Sequence, residues 1–411
     1  MTAGATRITS AFVAQRFCRN LVFHYAITVS FYLSAGLTVF ELFVVNSVYW
    51  VARAVIDMPL GYLADNVGRR RALLAGTVVT AVAYFTMSQS VSFVWFAVAN
   101  MLLAIGHSLS IGTDSALVRS ALEDRARAMD YPRTESLGWL GRNVALAVSM
   151  SLGGFIAART AFRTTIMISS VSVVPAIAFV LAIPASTAAD RVSRARVRTG
   201  LTALRARGAE FVMRLLVYSV FVVNEFTGNL LIQLTLRAHE VAVDRLAFVF
   251  AAVLVVAAAS SMLAPALSKI GSEACLWLMV AAISTYFALE FAGLSLRGTG
   301  GIALSVLGFV AYGIVRGVYH PIFRTWIGNS VDQGIRATAF AAASATGTLA
   351  VGAANPAFAW VIEHFGLAPL MLACAVSAPM FVGVTYLVAR NLSDTWSIGG
   401  HKRLPDASVV A

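Results

Sequence analysis

The sequence predicts an all-α membrane protein of twelve transmembrane helices in two six-helix bundles. Three observations carry this reading. Hydrophobic residues make up 59% of the 411 positions and charged residues only 12%, about half the ~25% usual in a soluble domain. Apolar runs of the roughly 20 residues that a bilayer helix needs recur from Leu21 to Arg390. Basic residues collect in the short segments between those runs, and mostly in every second one.

The elements follow in order, each bounded by a polar interruption. The first span is expected at 19–36, after Arg7, Arg16 and Arg19; it has no small-residue cleavage site, so it reads as a retained span rather than a signal peptide. The second, 41–64, ends before Arg69, Arg70 and Arg71, and the third, 72–91, is followed at once by the fourth, 93–118. Arg119, Arg125, Arg127 and Arg133 separate it from the fifth, 136–158. Arg159 and Arg163 precede the sixth, 164–183. The second series is expected at 211–236, 246–267, 275–294, 302–322, 338–362 and 367–389.

One long basic interruption lies between the two series. It divides the chain into an N-terminal bundle (1–184), a basic cytoplasmic linker (185–210) and a C-terminal bundle (211–411) ending in a short cytoplasmic tail. The linker reads either as a plain tether or as a segment lying on the anionic inner leaflet. Alternate loops are poor in Lys and Arg: beyond Arg159 and Arg163, the basic residues there are Arg237, Arg245 and Arg297. The positive-inside rule therefore puts both termini in the cytoplasm.

That topology also accounts for the net charge of +12, which in a soluble chain would suggest nucleic acid. Cys18, Cys275 and Cys374 are far apart, with no metal-ligand or redox spacing. The two lysines, Lys269 and Lys402, do not belong to a Walker loop. No metal cluster or Gly-x-Ser-x-Gly nucleophile motif is present, so neither an enzyme nor a cofactor is expected.

Between the second and third spans the chain reads Gly61-Tyr62-Leu63-Ala64-Asp65-Asn66-Val67-Gly68-Arg69-Arg70-Arg71. Gly61 would let a neighbouring helix approach closely. Asp65 would face a helix N-terminus, Gly68 would permit a tight turn, and the arginines would pair with carboxylates or lipid phosphates. The string resembles the signature of the major facilitator superfamily. Asp57-Met58-Pro59-Leu60-Gly61 and Gly112-Thr113-Asp114-Ser115-Ala116-Leu117 are similar to stretches of its drug-export-like, proton-antiporting members, and Arg336-Ala337-Thr338 to the opening of their eleventh helix.

The resemblance implies a monomeric secondary transporter of the cytoplasmic membrane. It would work by alternating access and move a small molecule, with protons as the second partner. Gly61, Asp65, Gly68, Arg69 and Arg70 would form its gate. There are departures. The matching loop of the second half has Ser268 where the acid would stand, and the fifth helix carries Gly153-Gly154 without the Gly-Pro of the antiporter motif.

Ionisable residues within the spans are functional candidates, because each costs roughly 2.5–3.5 kcal/mol on insertion scales unless paired or wetted. Glu225, with Asn224 beside it, falls about 20 Å from the inner end of its helix at ~1.5 Å per residue. It is read as a proton or cationic-substrate site, or as a carboxylate wetted near the outer interface. Arg53 and Asp57 share a helix face, as a switchable pair or a static one. Asp114 lies within reach of Arg119. Arg142 and Asn143, and Arg316 with Tyr319 and His320, are further polar groups, and Arg316 either binds an anionic substrate group or snorkels. His24 and His107 are relay candidates or simple helix-to-helix partners. Tyr25, Phe31, Tyr32 and Trp50 suit an amphipathic ligand or ordinary packing. Glu290 reads as interfacial.

Efflux of an amphipathic, drug-like compound is the leading expectation. Proton-coupled uptake of a polar or anionic metabolite, or a receptor or assembly protein that kept the fold without transport, are the alternatives.

Overall fold

The computed structural model describes residues 3–125, 127–184, 208–296, 298–331 and 335–392, and Ile398. Among these residues every regular element is a helix. The first series is α1 (Ala3–Arg19), α2 (Thr28–Ser34), α3 (Val39–Val67), α4 (Arg69–Gln89), α5 (Phe93–Ser110), α6 (Thr113–Glu123), α7 (Tyr131–Arg159), α8 (Phe162–Val173) and α9 (Pro175–Ala182). The second is α10 (Gly208–Ala238), α11 (Val243–Ser261), α12 (Ala264–Leu267), α13 (Ser272–Ser295), α14 (Thr299–Asn329), α15 (Arg336–Phe365) and α16 (Leu367–Leu392). Two compact units result: Met1–Val192 with Glu240–Ala251, and Ser193–His239 with Ala252–Ala411. The expected linker, 185–210, lies outside the described residues except at its end, where Gly208 opens α10.

Eleven helical stretches are long and apolar enough to cross a membrane among the described residues, with a shorter apolar stretch at Tyr25–Ser34. The packing fits that solvent. Along α16, Leu372, Val376, Met380, Val384 and Leu387 form an exposed apolar ridge at helical spacing, while Leu370, Met371, Cys374 and Val382 on the other side are buried. In water such a ridge would be a liability; against lipid it is the solvated face. By contrast 72% of the α10 span is buried, against 22% for α16, so α10 is a central helix of its unit.

The first crossing differs from the expected helix at 19–36. The chain is helical before that, over Ala3–Arg19, and then breaks. Asn20 Nδ2 donates to the Arg16 carbonyl at 2.8 Å, a side-chain bond that competes with helix continuation. The Val22 and Phe23 amides donate to the hydroxyls of Ser149 and Ser169 at 3.1 and 3.0 Å. The Phe23 carbonyl packs so tightly on Gly153 that any Cβ there would overlap it. Irregular backbone inside a membrane persists only where such partners satisfy it. The polar start of α1 hid it from hydropathy, although its Ile8, Ala11 and Phe12 join a buried cluster with Leu117, Val118 and Val180.

Three other expected spans are interrupted. The fourth bends at Gly112, whose φ of +81° a side chain would resist, and continues to Glu123. The sixth breaks before Pro175, and α11 stops at Ser261 ahead of the short α12.

Candidate functional site

The polar interior of the second unit is built on two central helices. Glu225 sits seventeen residues into α10 (225 minus 208), roughly 25 Å along at ~1.5 Å per residue. Across from it, α14 carries Tyr312, Arg316 and Tyr319, three or four residues apart and so on one face. The Tyr319 hydroxyl donates to Glu225 Oε2. Arg316 Nε lies 3.6 Å from Glu225 Oε1, with the two side chains 17% and 15% exposed. Arg316 also donates to Asn229 Oδ1 at 3.0 Å, and Tyr312 donates to the Glu225 carbonyl at 2.6 Å. The carboxylate is thus shared by a phenol and a guanidinium, in charge-assisted contacts stronger than neutral ones. Aromatic rings flank it: Phe221 stacks on Tyr319 at 6.0 Å, and His320 stacks on Tyr218 at 6.4 Å.

Asn224 does not join this cluster. It lines a separate cavity of about 700 Å³ in the same unit, among Leu216, Val220, Phe287, Phe358 and Phe381. Adjacent residues on a helix point about 100° apart, so only one of Asn224 and Glu225 can face α14.

In the first unit, Arg53 and Asp57 form an ion pair at 2.9 Å within α3. Ser108 of α5 donates to Asp57, while Tyr49 and His107 are joined at 2.7 Å beside it. The Arg53 guanidinium lies 5.8 Å from the rings of both Tyr49 and Trp50. His24 is buried, 3.0 Å from Ser169 Oγ and edge-on to Tyr84. It belongs to the break in the first crossing and stands apart from the Asp57 group. Phe31 and Tyr32 pack edge-on against Phe96, as bundle core.

Asp114 departs from its expected partner. Arg119 pairs with Glu123 at 2.8 Å, whereas Asp114, 2% exposed, is held by Arg16 at 3.0 Å and Arg19 at 3.2 Å. Glu135 completes the group, 2.9 Å from Arg16. Two cations and two anions in one buried cluster are electrically balanced. Arg142 lies over the Trp139 ring at 5.1 Å and donates to Asn143 at 3.3 Å.

The motif between α3 and α4 has its own local geometry. Gly68 ends α3 and starts α4 with φ +104°, a conformation that favours glycine. Asp65 pairs with Arg69 at 3.2 Å, and Arg69 donates to Ser120 of α6 at 2.7 Å. Arg70 donates to the Leu181 carbonyl. A Cβ on Gly61 would meet nothing within 4 Å, so close helix approach does not explain this glycine. Glu290, expected at an interface, is 0% exposed.

Several participants were not singled out by sequence reasoning: Tyr49, Ser108, Glu135 and the pairing role of Arg16 and Arg19. Their partners lie on other helices, so no spacing joins them. The Arg316-x-x-Tyr319 spacing on one helix face was the available signal for Tyr319.

The chain matches the family model described as Major Facilitator Superfamily over residues 9–355. No curated protein sequence matches it significantly. Among solved structures it is similar to a mutant of the nucleoside transporter NupG, with a TM-score of 0.78 at 13% identity over 93% of this chain and 99% of that one. A POT family transporter in complex with a thioalcohol-conjugated peptide gives a TM-score of 0.71 at 12% identity, covering 95% and 96% of the two chains. A D-xylose–proton symporter gives 0.70 at 14% identity, covering 97% and 99%. At these identities the likeness is one of fold.

Proposed function

The chain belongs to the Major Facilitator Superfamily, and from that premise we propose that it is a proton-coupled secondary transporter exporting a small amphipathic solute, with Glu225 as the group that exchanges protons and senses the solute. The observation that carries this is the Glu225 carboxylate held between Tyr319 and Arg316 on α14. A carboxylate in a partly enclosed site with one shared counter-charge is a natural place to take up and release a proton. When Glu225 is protonated, its attraction for Arg316 is lost, while Arg316 still donates to Asn229. When it is ionised, a cationic or polar solute competes with Arg316 and the proton for the same oxygens. Binding is thereby coupled to proton release. Alternating access then carries the solute across the membrane.

The rings of Tyr218, Phe221, Tyr319 and Phe323 beside the carboxylate suit the apolar side of such a solute. Export is supported by the resemblance of Asp57–Gly61 to drug-export-like members. The excess of Arg on alternate loops supports cytoplasmic termini, and the family's habit supports a monomer. Proton-coupled uptake of an anionic metabolite is the second reading. It is supported by the Arg316 guanidinium beside Glu225, a cation that an anionic solute would meet in this cluster.

Proteoliposomes under an imposed pH gradient test the proposal, with cationic dyes and small anionic metabolites as solutes and Glu225→Gln alongside. Solute-driven proton movement that the variant abolishes supports it, and the class of solute selects the reading. Coupled movement that persists in Glu225→Gln would remove Glu225 from the mechanism.

A further inference from the structure

Glu290 lies in α13, fully buried at 0% exposure, and takes no part in the cluster around Glu225. Its carboxyl fits against Gly308 of α14, where a Cβ would come within 2.5 Å of Oε1. The hydroxyls of Ser305 on α14 and Thr235 on α10 are its polar neighbours. Tyr286, one turn earlier on α13, neighbours it, and Tyr286 in turn lies near Cys374 of α16 and beside Tyr312 of α14, with 5.3 Å between the ring centroids. Among the described residues these are the polar and titratable groups that act on the pair, and none carries a formal charge. Neither carboxyl oxygen, nor the Thr235 or Tyr286 hydroxyl, meets hydrogen-bond geometry with any described residue.

Such a site is hostile to an ionised carboxylate, since a buried charge without a partner costs so much that the group neutralises instead. One proton answers the whole arrangement. A neutral carboxyl has an O–H to give the Ser305 or Thr235 oxygen and a carbonyl oxygen to accept from the other hydroxyl. A line of polar groups leads away from it: His239 Nε2 is 3.1 Å from Ser305 Oγ. His239 follows the last residue of α10 and is half-buried. Burial lowers its pKa from the ordinary value and so favours the uncharged ring, with one nitrogen as donor and the other as acceptor. That is the state able to pass a proton along.

We propose that Glu290 is a proton-binding site, distinct from Glu225, which exchanges its proton with the end of α10 through Ser305 and His239. The site is independent of the solute and of any role for Glu225.

Infrared spectroscopy of the full-length protein in liposomes tests it directly. The carbonyl stretch of a protonated carboxyl is expected at neutral pH in the wild type and in Glu225→Gln, and is expected to vanish in Glu290→Gln. Its shift on transfer to deuterated buffer should be several-fold slower in His239→Leu. If Glu290→Gln does not fold, Glu290→Asp, which moves the acid on a shorter arm, must displace the band. A spectrum unchanged by the Glu290 variants means an ionised carboxylate and overturns the site. Exchange as fast in His239→Leu as in the wild type overturns the route. Transport is not read in these spectra, so failure of the Glu225 proposal in flux experiments remains a separate result.

Discussion

The Tyr319 hydroxyl of α14 donates to the Glu225 carboxylate of α10, a contact between residues 94 positions apart in the chain. The other carboxyl oxygen faces Arg316 at 3.6 Å. Glu225 is therefore held on both oxygens by a single neighbouring helix, and a change at either partner should be felt in the coupling.

Tyr319→Phe removes one hydrogen bond to a charged group and leaves the ring stacked on Phe221. Such bonds contribute roughly 1.5–3 kcal/mol. Solute-driven proton flux should fall about tenfold or more, the equivalent of ~1.4 kcal/mol at the barrier, with little change in thermal stability. Flux in proteoliposomes beside a melting curve separates the two effects.

Glu225→Gln and Arg316→Gln should not be additive. The pair is in contact, so a double-mutant cycle on solute binding should return a coupling of roughly 0.5–3 kcal/mol. Additive losses would mean that the two side chains act independently.

Asp65→Asn should slow transport while solute affinity stays nearly constant, because Asp65 belongs to the proposed gate. Its pair with Arg69 is an i,i+4 contact with the two side chains 19% and 23% exposed, and such pairs on a helix contribute only about 0.3–0.5 kcal/mol. A large drop in melting temperature would assign Asp65 a structural role instead. Comparing the initial transport rate with equilibrium binding of the same solute makes the check.

Asp114→Ala should be the most damaging of these changes to stability. It strips the carboxylate from Arg16 and Arg19 in a buried site, and breaking such a pair costs about 3–5 kcal/mol. Thermal unfolding in detergent reads the loss.

Gly153→Val should destabilise the protein by about 1–3 kcal/mol, the usual cost of overpacking, because the Phe23 carbonyl already occupies the space. The break at 20–24 should loosen with it, seen as faster amide exchange at Val22 and Phe23. Unchanged exchange at those two amides would show that the contact does not hold the break.

The sequence alone determined the solvent of this protein, the number of its crossings to within the broken first one, and its family. Each of these is written in one-dimensional quantities: the length of apolar runs, the alternation of arginine, and the 61–71 string. It also located Glu225, Arg316, Arg53 and Asp57, because a charge inside an apolar run is conspicuous. Tertiary structure decided the partners. Asp114 bonds to Arg16 and Arg19, about a hundred residues away, rather than to nearby Arg119. Asn224 and Glu225 are neighbours in sequence yet serve different surroundings, and Glu290 is enclosed rather than interfacial. The break at 20–24 depends on hydroxyls supplied by α7 and α8. Hydropathy records how apolar a segment is, averaged around the helix. Which side chain meets which depends on helix rotation and crossing, and those are set only when the helices pack.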